Sequence, residues 1–349
     1  MSQTHKKNAR SKQLLYLGNQ LSRKGRNLST VEVLSGLLET EGYTVVSGSS
    51  RKNPAFRLLD MLYKVIKHRP QTDLLLIDTY STSAFWYAYV ISRLACVLKL
   101  DYIPILHGGN LPQRLKTHSK RCRHLFGRAK VNVAPSAWLM HHFQKAGYTN
   151  LTHIPNSIAL EHYEFRQRQP LMPRLLWVRA FAQIYNPLLT LKTLQELLHT
   201  HPEASLSMVG PFKDESIDEC RAYAEAHQLP VTFTGGMSKS AWIKYAADFD
   251  IFINTTNVDN MPVSVLEAMA LGLPVVSTNV GGIPFLLEDE VDALLVDPGN
   301  AGDFTKAILK LLQDPDLARQ LSITARQKVE HFDWQVVKGK WNAVISGER

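Results

Sequence analysis

In the stretch DIFINTTNVDNMPVSVLEAMALGLPVVSTNVGGIP, residues 250–284, Glu267 is the one ionisable group inside a nearly apolar helical run. A carboxylate carried into apolar surroundings needs a partner, because moving a bare charge out of water is costly. Two kinds of partner suit it: the diol of a ligand such as a ribose, or an Arg or Lys of the chain. Eight residues earlier stands Asp259, followed by Asn260; both are cap-type residues, and Pro262 suits a first helical turn. The helix N-terminus so formed, at 262–265, offers unpaired backbone N–H groups and a partial positive charge, which favour a phosphate. Gly281-Gly282 leaves room for a ligand to approach a second piece of backbone.

The elements that position these residues follow from the pattern around them. Ile251–Asn254 reads as a strand, 255–261 as the loop leaving its carboxyl end, and VSVLEAMAL as the helix. Gly272 marks the helix stop, Pro274 bars its continuation, and Pro274–Ser277 is the next strand. The same alternation runs through the chain. Strands are expected at Gln13–Tyr16, Thr44–Ser47, Leu74–Asp78, Tyr102–Leu106 and Val131–Ala134, then at Arg174–Val178, Ser205–Val209, Val231–Thr234 and Ala293–Val296. Alternating strands and helices imply α/β architecture with parallel sheets covered on both faces. The alternation breaks once, at the polar segment IALEHYEFRQRQPLMPR with Pro170 and Pro173, which reads as a linker. The expected organisation is therefore a doubly wound domain over 1–157, a linker over 158–173, a second doubly wound domain over 174–330 and a terminal helix over 331–349. Open α/β sheets bind ligands at the carboxyl ends of their strands, so two in tandem imply a cleft between them.

Composition narrows the function classes. A chain of 349 residues with 45% hydrophobic and 20% charged residues has the material for two cores, which excludes general disorder. Cys96, Cys122 and Cys220 are too few and too scattered for a disulfide framework or a CxxC metal site. The absence of GxGxxG argues against a dinucleotide oxidoreductase. Net charge is +9, but residues 1–160 carry 23 Lys+Arg against 7 Asp+Glu, and residues 161–349 carry 17 against 24. That asymmetry points the first half towards a polyanion. Its basic segments are 51–69, an amphipathic helix, and 110–130, with seven Lys and Arg. An anionic membrane surface suits both, and no nucleic-acid motif accompanies them. The longest apolar run, 83–100, is interrupted by Arg93, so no span is expected. A cytoplasmic protein, peripheral at the inner face of the membrane, is the expectation.

D-N-M-P-V-S-V-L-E-A-M-A-L-G-L-P-V-V, residues 259–276, resembles the Glu-x7-Glu signature E-G-x-P-x-x-x-L-E-A-M-A-x-G-x-P-V-V of family 4 retaining glycosyltransferases, the glycosyl transferases group 1. Other segments are similar to the same family. They are IPNSI within 136–158, VTFTGG at 231–236, VGGIP at 280–284, ILHGGN around His107 and HFDW at 331–334. The resemblance implies the GT-B fold: two Rossmann-like domains facing a central cleft, with the C-terminal helix returning to the first. It implies a nucleotide diphospho-sugar donor, UDP-linked rather than GDP-linked, with a glycan or lipid-linked acceptor. Transfer would retain the anomeric configuration, in cell-surface polysaccharide or lipopolysaccharide synthesis, with no metal or other cofactor.

Residue by residue, the resemblance assigns Glu267 to the donor ribose and Asp259 to the donor sugar, where Asp is one methylene shorter than the usual Glu. Backbone at Asn260, Met261, Pro262, Val263, Ser264 and Val265 would hold sugar and phosphates. Gly235 and Gly236 would lie beside the base. His107 would face the sugar, and Gly18 and Asn19, in a turn that continues to Gly25 and Asn27, would form a floor. One segment departs from the pattern. Where the family reads V-G-R-x4-K-x-P, this chain reads V-R-A-F-A-Q-I-Y-N-P, so Ala180 and Tyr185 occupy the positions of the two diphosphate-binding cations. Arg179 stands one residue early. Either Arg179 and Tyr185 take over that role, or donor chemistry is impaired and the protein is a catalytically weak GT-B scaffold. A salt bridge at the strand end is the plain structural alternative for Arg179. A sugar-nucleotide epimerase of related fold is a third functional reading.

Overall fold

The computed structural model describes residues 11–20, 29–51 and 53–347. Lys52 of the basic segment, and Gly25 and Asn27 of the opening turn, lie outside the described residues. In chain order the first elements are β1 (Gln13–Asn19), α1 (Thr30–Thr40), β2 (Thr44–Ser49), α2 (Pro54–His68), β3 (Leu74–Thr79) and α3 (Phe85–Val97). Then come β4 (Tyr102–Leu106), α4 (Leu111–Thr117), α5 (Ser119–Gly127), β5 (Asn132–Ala134), α6 (Ala137–Lys145) and β6 (Leu151–His153). The later elements begin β7 (Arg174–Val178), α7 (Pro187–Leu197), β8 (Ser205–Val209), α8 (Ser216–Ala226), β9 (Val231–Gly235) and α9 (Lys239–Tyr245). They continue β10 (Ile251–Asn254), α10 (Val263–Ala270), β11 (Val275–Thr278), α11 (Ile283–Leu286) and β12 (Leu294–Val296). Three helices close the chain: α12 (Ala301–Gln313), α13 (Pro315–Glu330) and α14 (Trp334–Ser346).

These elements form two compact units. Of the described residues, 11–20, 29–51, 53–133 and 143–152 belong to the first, and 134–142 with 153–347 to the second. Each unit contains a six-stranded parallel sheet. The first sheet has the order β2-β1-β3-β4-β5-β6 and the second β9-β8-β7-β10-β11-β12. In each, the chain starts in the middle, winds one way and then the other. The order therefore reverses between β1 and β3 in the first sheet and between β7 and β10 in the second. Such a switch point opens a crevice beyond the carboxyl ends of its two strands, where α/β proteins hold ligands.

Burial explains the apolar runs. β3 and β4 are buried along their whole length, and so are β10 and β11. Helix α10 is apolar all round because it is covered all round: Ser264 through Ala270 are buried, between β10, β11 and α13. Gly272 stops it at φ +75°, and a Cβ there would lie 2.6 Å from the Arg166 carbonyl oxygen.

Three features differ from the sequence expectation. β1 does not stop at Tyr16 but continues to Asn19, so Gly18 and Asn19 lie at the strand's end rather than in a turn. β6 was not expected; it is three half-buried residues, too short and too polar to show a period. Residues 158–173 are polar in composition yet packed on the second unit. Arg168 is buried there because carbonyl oxygens satisfy its guanidinium: Phe249 at 2.6 Å, Arg166 and Leu271 at 2.8 Å, and Ala246 at 3.2 Å.

Candidate functional site

The second unit's switch point gathers most of the expected donor residues. Arg179 follows the last residue of β7, and the loop 255–262 leaves the end of β10. Arg179 and Asp259 form an ion pair, each with a side chain 14% exposed. The guanidinium also lies over the Tyr185 ring, 4.2 Å from its centroid. Burial pulls the Arg179 pKa down from the ordinary arginine value, and Tyr185 opposes that shift. Its Nε is buried and has no hydrogen-bond partner among the described residues. The strand end is itself tightly fitted, since a Cβ on Gly210 would come within 1.6 Å of the Arg179 carbonyl oxygen. Ala180 carries no charge, so Arg179 is the cation that the β7 end supplies.

The loop before α10 is fixed from several sides. Asp259 Oδ1 accepts from the Asn260 amide at 2.8 Å, and the Asp259 carbonyl accepts from the Gly282 amide at 2.9 Å. Gly281 and Gly282 are needed for that approach: Cβ atoms there would meet the Asp259 and Asn260 carbonyl oxygens at 2.3 and 1.9 Å. The Gly-Gly pair thus serves loop packing in the first instance. Ser136 donates its hydroxyl to Asn260 Oδ1, and Asn156 donates to the Met261 carbonyl at 3.1 Å. IPNSI and the start of α6 therefore brace the loop. Among the described residues no side chain caps α10, whose N-cap is Pro262, so the first helical N–H groups at Val263 and Ser264 face outward from the helix start. Ser264 Oγ is buried there without a partner among the described residues. The Val263 and Val265 side chains serve packing, and what they offer a ligand is backbone.

Glu267 is 4% exposed on α10. Its Oε1 accepts from the Tyr163 hydroxyl at 2.7 Å and pairs with Lys239 Nζ at 2.8 Å. Both contacts fall on one carboxylate oxygen. Burial and then the Glu267 charge push the Tyr163 phenol far above its usual pKa, so it stays a proton donor at any working pH. Lys239 opens α9, and its side chain is 46% exposed. Of the two partners the sequence allowed for Glu267, the chain supplies Lys239 and adds Tyr163. Nearby, Gly235 ends β9 at φ +71° and its carbonyl accepts from the Gly210 amide at 2.8 Å; Phe212, half exposed, is the side chain closest to the position of a Gly235 Cβ.

The first unit's switch point holds a second cluster. Asp78, at the end of β3, is buried, and its Oδ1 accepts from the Tyr16 hydroxyl at 2.6 Å and meets His107 Nε2 at 2.7 Å. His107 leaves β4 with its amide bonded to the Thr79 carbonyl, and its ring stacks on Tyr80 with centroids 5.2 Å apart. Burial and Asp78 drive both Tyr16 and Tyr80 well above the ordinary phenol pKa. Gly18 is required beside this cluster, because a Cβ would sit 2.4 Å from Asp78 Oδ2. Asn19 Oδ1 accepts from Arg57 at 3.0 Å. The arrangement fixes one imidazole by a carboxylate and an aromatic plate, which sets the ring's orientation and tautomer.

Asp78, Tyr163, Lys239, Ser136 and Asn156 were not among the expected site residues. Their partners lie 28 to 124 positions away in the chain, so no local spacing reveals them. The one usable signal was an Asp ending an apolar strand next to the switch point.

Comparison with known proteins finds similar sequences and a shared fold. Residues 172–314 match the family model of glycosyl transferases group 1. A sulfoquinovosyl transferase from Arabidopsis thaliana is 28% identical over 156 residues, 43% of this chain and 29% of that protein. The matched stretch spans less than half the length of the first curated relatives. Among solved structures, a sucrose-phosphate synthase from Thermosynechococcus elongatus superposes with TM-score 0.79 at 16% identity, covering 96% of this chain and 98% of that one. HepE from Anabaena, solved with UDP-glucose, gives TM-score 0.76 at 17% identity, covering 96% and 99%. The fold is GT-B. Residues 172–314 are similar to the glycosyl transferases group 1 family.

Proposed function

We propose that the protein transfers a sugar from a nucleotide diphospho-sugar to a glycan or lipid-linked acceptor with retention of anomeric configuration. The observation that carries this reading is the crevice at the β7–β10 switch point. There a buried carboxylate, Glu267, stands on the same helix as an N-terminus that is uncapped among the described residues, beside two buried polar atoms without partners among them, Ser264 Oγ and Arg179 Nε. Those are acceptors for a ribose diol and donors for a diphosphate. A UDP-linked donor is favoured by the solved neighbour that holds UDP-glucose.

In this reading the ribose hydroxyls bind Glu267 as Lys239 moves aside. Phosphate oxygens take the N–H groups at Val263 and Ser264, the Ser264 hydroxyl and Arg179, with the helix dipole adding to their stabilisation. Asp259 and the loop backbone hold the sugar, Gly235 and Gly236 flank the base, and His107, held by Asp78, orients the sugar. The bond from the anomeric carbon to the departing phosphate breaks through an oxocarbenium-like state. The acceptor oxygen bonds that carbon on the same face, and its proton passes to the departing phosphate oxygen. No enzymic base is then required, and no metal or other cofactor is assigned. Gly18 and Asn19 act through Asp78 and Arg57 rather than as a bare floor. The setting is cell-surface polysaccharide or lipopolysaccharide synthesis on the cytoplasmic side.

A second reading, a catalytically weak scaffold, has one specific observation behind it: the single cation at the β7 end is already engaged by Asp259. Thermal unfolding with UDP, GDP, ADP and their sugar conjugates separates the two. A ligand at about 100 times its Kd adds about 2.7 kcal/mol. Stabilisation by UDP and by a UDP-sugar, with transfer products of retained configuration by NMR, is the expected result. Nucleotide binding without any sugar transfer would favour the scaffold, and no stabilisation by any nucleotide would overturn both.

A further inference from the structure

We infer that the outer face of the helix layer α2–α3–α5 in the first unit rests on an anionic lipid bilayer. The three helices share one side of the sheet. From β2 to β5 the chain advances in one direction across the sheet, and right-handed crossovers moving in one direction stack on one face. The packing of α2 on α3 and of α3 on α5 agrees. Their inner positions already serve the core, through Met61 and Val65 on α2, Phe85, Ala88, Ile91 and Ala95 on α3, and Leu125 and Phe126 on α5.

The outer positions of α2 therefore have no packing reason to be apolar. Yet Phe56, Leu59, Tyr63 and Ile66 follow one another at helical spacing and are each 59–63% exposed. On α3 the outward residues are Trp86, Arg93 and Val97, the last 77% exposed. On α5, Lys120, Arg121 and Arg123 are exposed, and Arg128 follows them. Lys67 lies over the Tyr63 ring at 5.6 Å and Arg121 over the Trp86 ring at 5.0 Å, so cation and aromatic share the surface. Acidic residues are nearly absent. Asp60 is tied to Lys64 at 3.6 Å, and between residues 79 and 160 Asp101 is the only carboxylate.

Charge decides the occupant. An apolar stripe on one helix with cations on its neighbours fits a surface that offers acyl chains and phosphates together. Tyr63 and Trp86 are the residue types that favour the headgroup level. A second copy meeting this face symmetrically would set the basic helices against one another, which like charges oppose. Among the described residues no helix is long and apolar enough to cross a membrane, so the contact lies in the plane of the surface. The inference stands apart from the donor-site reading and rests on different residues.

Flotation of the full chain with phosphatidylcholine vesicles, with and without phosphatidylglycerol, tests it. The chain is expected to float with the anionic vesicles and to stay behind with phosphatidylcholine alone. Leu59→Glu combined with Ile66→Glu should lower the bound fraction about tenfold, and Lys120→Glu combined with Arg123→Glu should do the same. Both positions sets are exposed, so the unfolding midpoint should hold, and added salt should weaken the wild-type interaction independently of any variant. Failure to float with anionic vesicles would overturn the inference. So would flotation untouched by the Leu59 and Ile66 changes, or a dimer in solution that those changes dissolve.

Discussion

Each unit buries one carboxylate at its switch point, and each carboxylate has a tyrosine and a basic group on a single oxygen. Asp78 holds the Tyr16 hydroxyl and His107; Glu267 holds the Tyr163 hydroxyl and Lys239. The difference lies in what can leave. Around Asp78 every group is locked: the imidazole is buried and plated by Tyr80, and Gly18 closes on the second oxygen. Around Glu267 one partner is a half-exposed lysine, a residue type whose ammonium rides on a flexible four-carbon stem. A locked carboxylate can only position its neighbour, whereas one whose partner can swing into water can exchange it for a ligand. Under the proposed function, Asp78 places His107 and Glu267 contacts the donor directly.

Glu267→Ala is expected to cause the largest loss. Two hydrogen bonds to a charged acceptor amount to about 3 kcal/mol or more, so donor affinity and transfer should fall about a hundredfold. Steady-state kinetics with the best donor would measure it. Arg179→Ala comes next, with kcat down about a hundredfold if the guanidinium stabilises the departing diphosphate. Were it only Asp259's partner, kcat would hold while the unfolding midpoint dropped. Gly18→Ala should cost about 1–3 kcal/mol of stability, because the new Cβ collides with Asp78 and something packed must shift; denaturant unfolding reads this. Lys239→Ala should change stability by less than about 1 kcal/mol, since the lysine is half exposed to screening solvent and the Tyr163 hydroxyl still donates to Glu267. An equal collapse of stability in the Gly18 and Lys239 variants would erase the contrast between a locked and an exchangeable site.

Much of this architecture is legible in the chain. Eleven strands announce themselves as apolar runs bounded by turn residues, and α10 announces itself by Pro262, an unbroken apolar body and Gly272. The clusters around the two carboxylates are not legible, because tertiary packing assembles them. Asp78 reads as the last residue of a strand, and neither Tyr16 nor His107 stands at any spacing that marks it. Residues 158–173 mislead for a related reason. Their polarity suggests a solvated linker, but Arg168 is buried at no great expense once carbonyl oxygens surround it, and Tyr163 turns inward to Glu267. Composition reports what a side chain is, and not whether the fold provides its partner. Arg179 shows the same limit. The alternatives of diphosphate ligand and strand-end salt bridge do not separate by sequence, and in the structure the salt-bridge partner is Asp259, itself a candidate for the sugar.

The most direct test of the contrast is nucleotide affinity measured by calorimetry on two variants side by side, Glu267→Ala and Asp78→Asn. Glu267→Ala should weaken UDP binding about a hundredfold, while Asp78→Asn should leave UDP affinity unchanged and lower only kcat, by about tenfold. Unchanged UDP binding in Glu267→Ala, or an equal loss in both variants, would contradict this contrast.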